Sequence, residues 1–250
     1  MEWAERLKER FGLSHCDVVP ADPASPSSTA GIAERAATVL EAYLKDTRPN
    51  LIALGTGRAL RAAVERITPM DCPSHQLVSL VGNISADGSA SLFDTVGRLA
   101  DLTKARHYPM PLPFLMTSTE ELKQILNIDT IRKVRSLAGK ADLRLVGIGQ
   151  MDEKAQVFID GFLTRDELHE MMRLGAKGEI VGWAFNENGE IITGGTNKRL
   201  TSVPLPVPAT TLTIALAAGK PKVVALKAAL KGHLINGLIT DETTAKLLLA

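Results

Sequence analysis

Strand-length apolar runs, each ending in glycine or a polar residue, alternate with helix-period stretches along most of the chain. That alternation restricts the fold more than any single motif does. "LIAL" at 51–54 runs into Gly-Thr-Gly, and Leu60, Ala63, Val64 and Ile67 then follow at i, i+3, i+4 and i+7, the spacing of one helix face. The same grammar recurs in "HCDVVPA" followed by "AGIAERAATVLEAYLKD", and in "QLVSLVG" followed by "SLFDTVGRLADLT". It returns in "DLRLVGIGQ", in "TLTIALAAG" with "KVVALKAALKG", and in "INGLITD" with "ETTAKLLL". Strands that alternate with helices make βαβ units, so the expected fold is α/β and Rossmann-like, a largely parallel sheet with helices on both faces.

Two stretches break the rhythm. "YPMPLPFLMTSTEELKQIL" places prolines at 109, 111 and 113 ahead of a helix, which predicts an extended crossover rather than a strand. "GEIVGWAFNENGEIITGG" alternates apolar positions around Asn188-Gly189 and predicts an inserted β-hairpin turning there. Just upstream, Thr164 to Glu167 ("TRDE") has capping-box spacing, so a helix is expected to start there and run through Met172. "DPASPSS" at 22–28 reads as a Pro/Ser loop.

Composition narrows the function classes. With 250 residues, 45% of them hydrophobic, the chain can bury a sizeable core. A formal charge of +1 and an aromatic content of 4% supply neither a positive field nor stacking surfaces for nucleic acid. Cys16 and Cys72 lie far apart without CxxC spacing and read as reduced thiols; the five histidines show no ligand spacing, so no metal and no cofactor is expected. The N-terminus is charged and no apolar run reaches membrane-spanning length, so the expected location is the cytoplasm.

In an open parallel sheet, ligands sit beyond the carboxyl ends of the strands. Gly55-Thr56-Gly57 lies at such an end, where glycines let backbone amides approach an anion closely, although an ordinary tight βα turn accounts for the pattern equally well. It lacks both the Walker ending and dinucleotide-fingerprint spacing. Gly82-Asn83, Gly147-Ile148-Gly149-Gln150 and Ala218-Gly219 with Lys220 and Lys222 close other strands with similarly small or polar residues. Converging on one rim, they would form a pocket for a small polyanion.

The runs "ADLRLVGIGQMD", "GFLTRDELHEMMRLGAKGEIVGWAFNENGE", "NKR" at 197–199 and "AAGKPKVVALKAALKGHLINGLITDETTAKLLL", in that order, resemble the effector-binding domain of the SorC family of bacterial sugar-responsive transcriptional regulators. The resemblance extends more weakly through "LIALGTGRAL" and "RHYPMPLP". It implies a fold similar to sugar-phosphate isomerases and deaminases, and a phosphorylated sugar or polyol as the bound effector. It implies phosphate contacts from Gly55, Thr56, Gly57 and Arg58, sugar contacts from Gly82 and Asn83, with Gln150 at the neighbouring strand end. Glu179 would accept hydrogen bonds from sugar hydroxyls, and Lys222 would pair with a phosphate or hydroxyl.

Some positions depart from the family. Where one branch carries a Schiff-base lysine, this chain has Val81, so covalent capture of an aldehyde sugar is not expected. The usual Asn-Asp-Arg is Asn197-Lys198-Arg199, and the usual Gly-Gly is Ala218-Gly219. The family's N-terminal helix-turn-helix has no counterpart; residues 1–14 resemble its linker helix and 15–250 the effector domain, so operator DNA would be engaged only through a missing segment.

The resulting expectation is a ligand-sensing domain without catalytic residues that controls DNA binding through quaternary change. It would be a homodimer or homotetramer, with the apolar "PFLM" of 113–116 as an interface element. The alternative is a sugar-phosphate isomerase or deaminase using Glu179 as base, with Asp87 and Asp94 as weaker candidates.

Overall fold

The computed structural model of the chain describes residues 2–22, 24, 29–82, 84, 88–89 and 94–250. Asn83, Asp87, most of the 22–28 loop and the start of the helix expected from Ser91 lie outside the described residues. In chain order the first half comprises α1 (Glu2–Phe11), β1 (His15–Val19), α2 (Thr29–Leu44), β2 (Leu51–Leu54), α3 (Arg58–Val64), β3 (Gln76–Ser79), α4 (Val96–Thr103), β4 (Arg106–Tyr108), α5 (Thr119–Leu126) and α6 (Asp129–Gly139). The second half adds β5 (Leu143–Gln150), α7 (Gln156–Ile159), α8 (Arg165–Arg173), β6 (Gly178–Ile180), β7 (Trp183–Phe185), β8 (Leu212–Leu216), α9 (Val223–Lys231), β9 (Gly237–Asp241) and α10 (Glu242–Leu249).

The main sheet runs β1-β9-β8-β5-β2-β3-β4, with every neighbouring pair parallel. Side chains alternate across it. Ile52 and Leu54 join α2, α3 and α4 in one core, while Ala53 and Val146 join α6, α9 and α10 in the other. Burial on both faces is why these strands read as continuous apolar runs rather than as alternating ones. β6 adds antiparallel to the end of β5 and pairs with β7, so the hairpin extends the sheet above its carboxyl rim. α1 lies against α10 and β1, with Leu7 fully buried and the Trp3 ring under Arg6 and Lys246.

The chain passes from β2 outward to β3 and β4, then returns to place β5 on the other side of β2. Connections therefore leave β2 and β5 in opposite directions, which opens a crevice between their carboxyl ends. Both Gly-rich segments singled out in the sequence meet there.

The structure corrects several expectations. The hairpin turns at Val181-Gly182, with φ of 46° and 88°; Asn188-Gly189 makes a second turn that brings Ile191 against Phe185. A valine in the left-handed region runs against local preference, so the sequence pointed to the glycine-bearing turn beyond it. β4 precedes the proline-rich crossover, and α6 was not anticipated although Ile131, Val134 and Ala138 hold helical spacing. α3 ends at Val64, yet Ile67 remains buried as expected. "PFLM" is not a free apolar surface: Met110, Leu112, Phe114 and Met116 are buried inside the molecule, which removes the reason for assigning an interface there. The capping box at Thr164 is formed as expected, with the Glu167 carboxylate accepting the Thr164 N–H.

Candidate functional site

The crevice holds a cleft of about 270 Å³. Thr56, Gly57 and Arg58 line it from the β2–α3 turn, and Gly147, Gly149 and Gln150 from β5. Glu179 of β6 and Lys222, at the entry to α9, close the other sides. Six of the residues expected to bind ligand, Thr56, Gly57, Arg58, Gln150, Glu179 and Lys222, thus share one cavity although they come from four separate stretches of chain. Ala217 and Ala218 add a small-residue wall, and Thr29 of α2 reaches the rim.

The two remaining described positions play a different part. Gly55 is buried, with its N–H bonded to Leu145 O at 2.8 Å and its own carbonyl accepting from Thr95 Oγ1 at 2.8 Å. It anchors the turn that Thr56 and Gly57 present. Gly82 does not line the cleft: a Cβ there would sit 2.5 Å from Leu112 O and 2.7 Å from Pro113 O, so glycine serves the approach of the crossover segment. The Asn-Lys-Arg triplet is likewise not on the cleft wall. Asn197 holds the hairpin backbone and Arg199 donates to Met116 O at 2.7 Å and to Glu167.

Glu179 is positioned by backbone on two sides. Its Oε2 accepts the Gly182 N–H at 2.8 Å, and its carboxylate lies across Gly149, where a Cβ would come within 2.3 Å of Oε1. Burial pushes its pKa up; the Gly182 N–H, the Lys222 ammonium and the Gly149 N–H oppose that shift without cancelling it. Lys222 is held below its ordinary value by burial, with Glu179 acting in the opposite direction and Arg58 adding to the depression. Burial therefore disfavours the charged form of each side chain, and each partly offsets the cost for the other.

A consequence can be measured. With its folded pKa raised, Glu179 contributes stability that is fully present below the unfolded value of 4.5 and lost as pH rises through the folded value. Glu179→Gln is therefore expected to melt slightly higher than wild type at pH 7.5 without ligand. The gap should close as pH falls below the ordinary glutamate range; a wild type that melts higher at every pH would contradict the assignment.

The mouth carries two residues that the sequence did not single out. Asp160, just past α7, accepts from the Arg58 guanidinium at 2.8 and 3.2 Å, and Gln156 donates to the same carboxylate at 3.0 Å. Neither has a local signature, because their role depends on the end of α7 meeting Arg58 at the start of α3. A smaller annex of about 80 Å³ adjoins the cleft past Glu179, lined by Phe114, Val157, Phe162 and Val181.

Of the weaker base candidates, Asp94 caps the first turn of α4 through the Gly97 N–H at 3.4 Å and is absent from the cleft wall. Val81, in the position of the family's Schiff-base lysine, is 2% exposed in the core. Burial raises the Cys16 thiol to about 12, and Cys72 is also buried. Among the described residues, no group of three or more His, Cys, Asp or Glu is placed to hold a metal, and no helix is long and apolar enough to cross a membrane.

Known proteins resemble this chain in sequence and in fold. The family model of the sugar-binding domain, Sugar-bind, matches residues 1–250. The erythritol catabolism regulatory protein EryD of Brucella abortus is 31% identical over 244 residues, covering 98% of this chain and 77% of its own length. The transcriptional regulator LsrR of Klebsiella pneumoniae is 32% identical over 251 residues, covering 98% and 74%. Among solved structures, the full-length sorbitol operon regulator SorC of Klebsiella pneumoniae superposes with a TM-score of 0.85 at 22% identity, over 100% of this chain and 80% of that one, a likeness of fold. With its sheet-end cleft, its match to the family model along the whole chain and relatives that are transcriptional regulators, this chain belongs to the sugar-binding, effector-sensing domain family of SorC-type transcriptional regulators.

Proposed function

We propose that the effector is a phosphorylated sugar or polyol, bound in the β2/β5 cleft without being chemically changed. One observation carries the reading: Arg58 and Lys222 line the same cavity as the Thr56-Gly57 turn, together with the Glu179 carboxylate. Cations and open backbone amides suit a phosphate, and a fixed carboxylate acceptor suits hydroxyls. Turnover would need an acid partner for Glu179 within reach of the substrate, and the other carboxylate on the cleft wall, Asp160, is paired with Arg58.

In the intact regulator, binding would bias the arrangement of self-associated subunits and so the placement of DNA-binding segments on operator DNA. The bias cannot exceed the difference in effector affinity between the two arrangements. The cytoplasm is the compartment where such a regulator meets both DNA and phosphorylated metabolites.

EryD's association with erythritol catabolism makes erythritol and its phosphate the first pair to test, followed by a panel of free and phosphorylated sugars. A phosphorylated compound at 100 times its dissociation constant stabilises the fold by about 2.7 kcal/mol, a rise in melting temperature of roughly 5–10 °C at this size. Its free parent should give no rise. Lys222→Ala should shrink the shift, most at low salt, where a partly exposed charge pair is least screened. Equal shifts from free and phosphorylated compounds, or product formation during incubation, would refute the reading.

A further inference from the structure

We propose that Asp160 is a specificity-determining residue: its carboxylate occupies the Arg58 guanidinium that an anionic ligand must use, and the ligand's displacement of it unties α7 from α3. The inference rests on the reading that an anion enters the cleft.

The pair closes one side of the cavity. The two terminal guanidinium nitrogens of Arg58 each donate to a separate oxygen of Asp160, at 3.2 and 2.8 Å, in the planar two-bond geometry that a phosphate also satisfies. Arg58, Asp160 and Gln156 all line the same cleft as Lys222 and Glu179. A carboxylate and a phosphate cannot both hold those two N–H groups, so the protein's own anion competes with any incoming one. A neutral sugar has no means of displacing a charged partner, and a singly charged group gains little by the exchange. A phosphate dianion gains from Lys222 as well, which makes no ion pair within 4.0 Å among the described residues.

What Asp160 holds explains why its release has an effect. α7 is a single turn with none of its four residues fully buried, and Ile159 is 59% exposed. The segment is anchored at Ala155 and Leu163, which are buried, and bends at Gly161, whose φ of 77° leaves open space around it. Between those anchors, the Arg58–Asp160 pair is the ionic tie from α7 to the turn at Thr56-Gly57. Exchange of partners at Arg58 therefore converts occupancy of the cleft into freedom of the half-buried α7 turn at its mouth.

Inorganic phosphate is the probe, with its dissociation constant measured by calorimetry on wild type, Asp160→Asn and Asp160→Glu. Asp160→Asn keeps the shape and the hydrogen bond from Gln156 but loses the competing charge, and should bind phosphate roughly fivefold tighter, the scale of an exposed ion pair. Asp160→Glu, which keeps the competitor, should stay within about twofold of wild type. In wild type, phosphate should speed amide exchange across 156–160, and in Asp160→Asn that exchange should already be fast without phosphate. Both results are required. A ratio near one between wild type and a folded Asp160→Asn, or α7 exchange unchanged or slowed by phosphate in wild type, overturns the proposal while leaving sugar-phosphate binding elsewhere in the cleft intact. Failure of phosphate to bind either protein overturns it together with the anionic reading of the cleft. The wild-type exchange experiment needs no variant, so a misfolded substitution does not remove the test.

Discussion

Gly189→Ala is expected to lower the unfolding free energy by about 4 kcal/mol, whereas Gly12→Ala lowers it by about 1 kcal/mol. Both glycines occupy the left-handed region, with φ of 78° and 65°, so each substitution carries the same conformational cost of about 1–2 kcal/mol. Their surroundings differ. A Cβ at Gly12 meets nothing within 4 Å, while one at Gly189 would lie 2.4 Å from Ala228 O and 2.6 Å from Gly232 Cα. Those neighbours are backbone at the end of α9 and cannot rotate away, so the turn must lift off the helix, adding about 1–3 kcal/mol of overpacking. Denaturant unfolding of the three proteins measures the difference. Equal losses at the two sites would show that the contact between the 186–190 turn and α9 is not tight. Because the same hairpin carries Glu179, Gly189→Ala should also weaken effector binding, which Gly12→Ala should leave unchanged.

Asn197→Ala is expected to cost about 3 kcal/mol, against less than about 0.5 kcal/mol for Lys198→Ala next to it. Asn197 is 5% exposed; its Oδ1 accepts the Ala184 N–H at 3.0 Å, and its Nδ2 donates to Ala184 O at 2.9 Å and Ile192 O at 2.8 Å. One side chain thus pins β7 to the 190–192 segment, whose Ile192 N–H also donates to Ala184 O. Truncation leaves the buried Ala184 N–H and the Ile192 carbonyl without that partner, each worth about 1–3 kcal/mol. Lys198 is exposed and makes no such contacts. Urea unfolding with an unchanged dependence on denaturant would report a loss of native-state stability, and a cost for Asn197→Ala no larger than for Lys198→Ala would contradict this account. The triplet that drew attention as part of a family signature braces the structure: Asn197 holds the hairpin, and Arg199 ties the chain to Met116 and to Glu167 of α8.

Local signals were legible where one short segment is sufficient to determine the outcome. The Thr164 capping box needs only four consecutive residues, and it forms as read. β2, β3, β5, β8 and β9 show as apolar runs because burial on both faces keeps most of their positions apolar. The turn at Asn188-Gly189 was legible, and the chain pairs back on β7 across it, but the earlier turn between β6 and β7 was not. Asn188-Gly189 has the better local chemistry, yet the strand pairing closes at Val181-Gly182, where the Glu179 carboxylate takes the Gly182 N–H and the Val181 side chain is buried. A local preference worth about 1–2 kcal/mol is outweighed by those contacts. "PFLM" misled for a related reason: an apolar cluster looks the same in sequence whether another chain or its own chain covers it.

For the cleft, the sequence determined which strand ends carry small, polar or charged residues, because these depart visibly from the apolar runs that precede them. It also determined the family, through motifs spread in order along the chain. Only the tertiary structure decided which of those ends meet. The return of the chain to the far side of β2 brings Thr56, Gly57, Gln150 and Lys222 to one cavity, places Glu179 above them on β6, and sends Gly55 and Gly82 to packing roles. Asp160 has no signal in sequence at all. Its importance comes from facing Arg58 across 102 positions of chain, a relation set by the path of the backbone and by no local pattern.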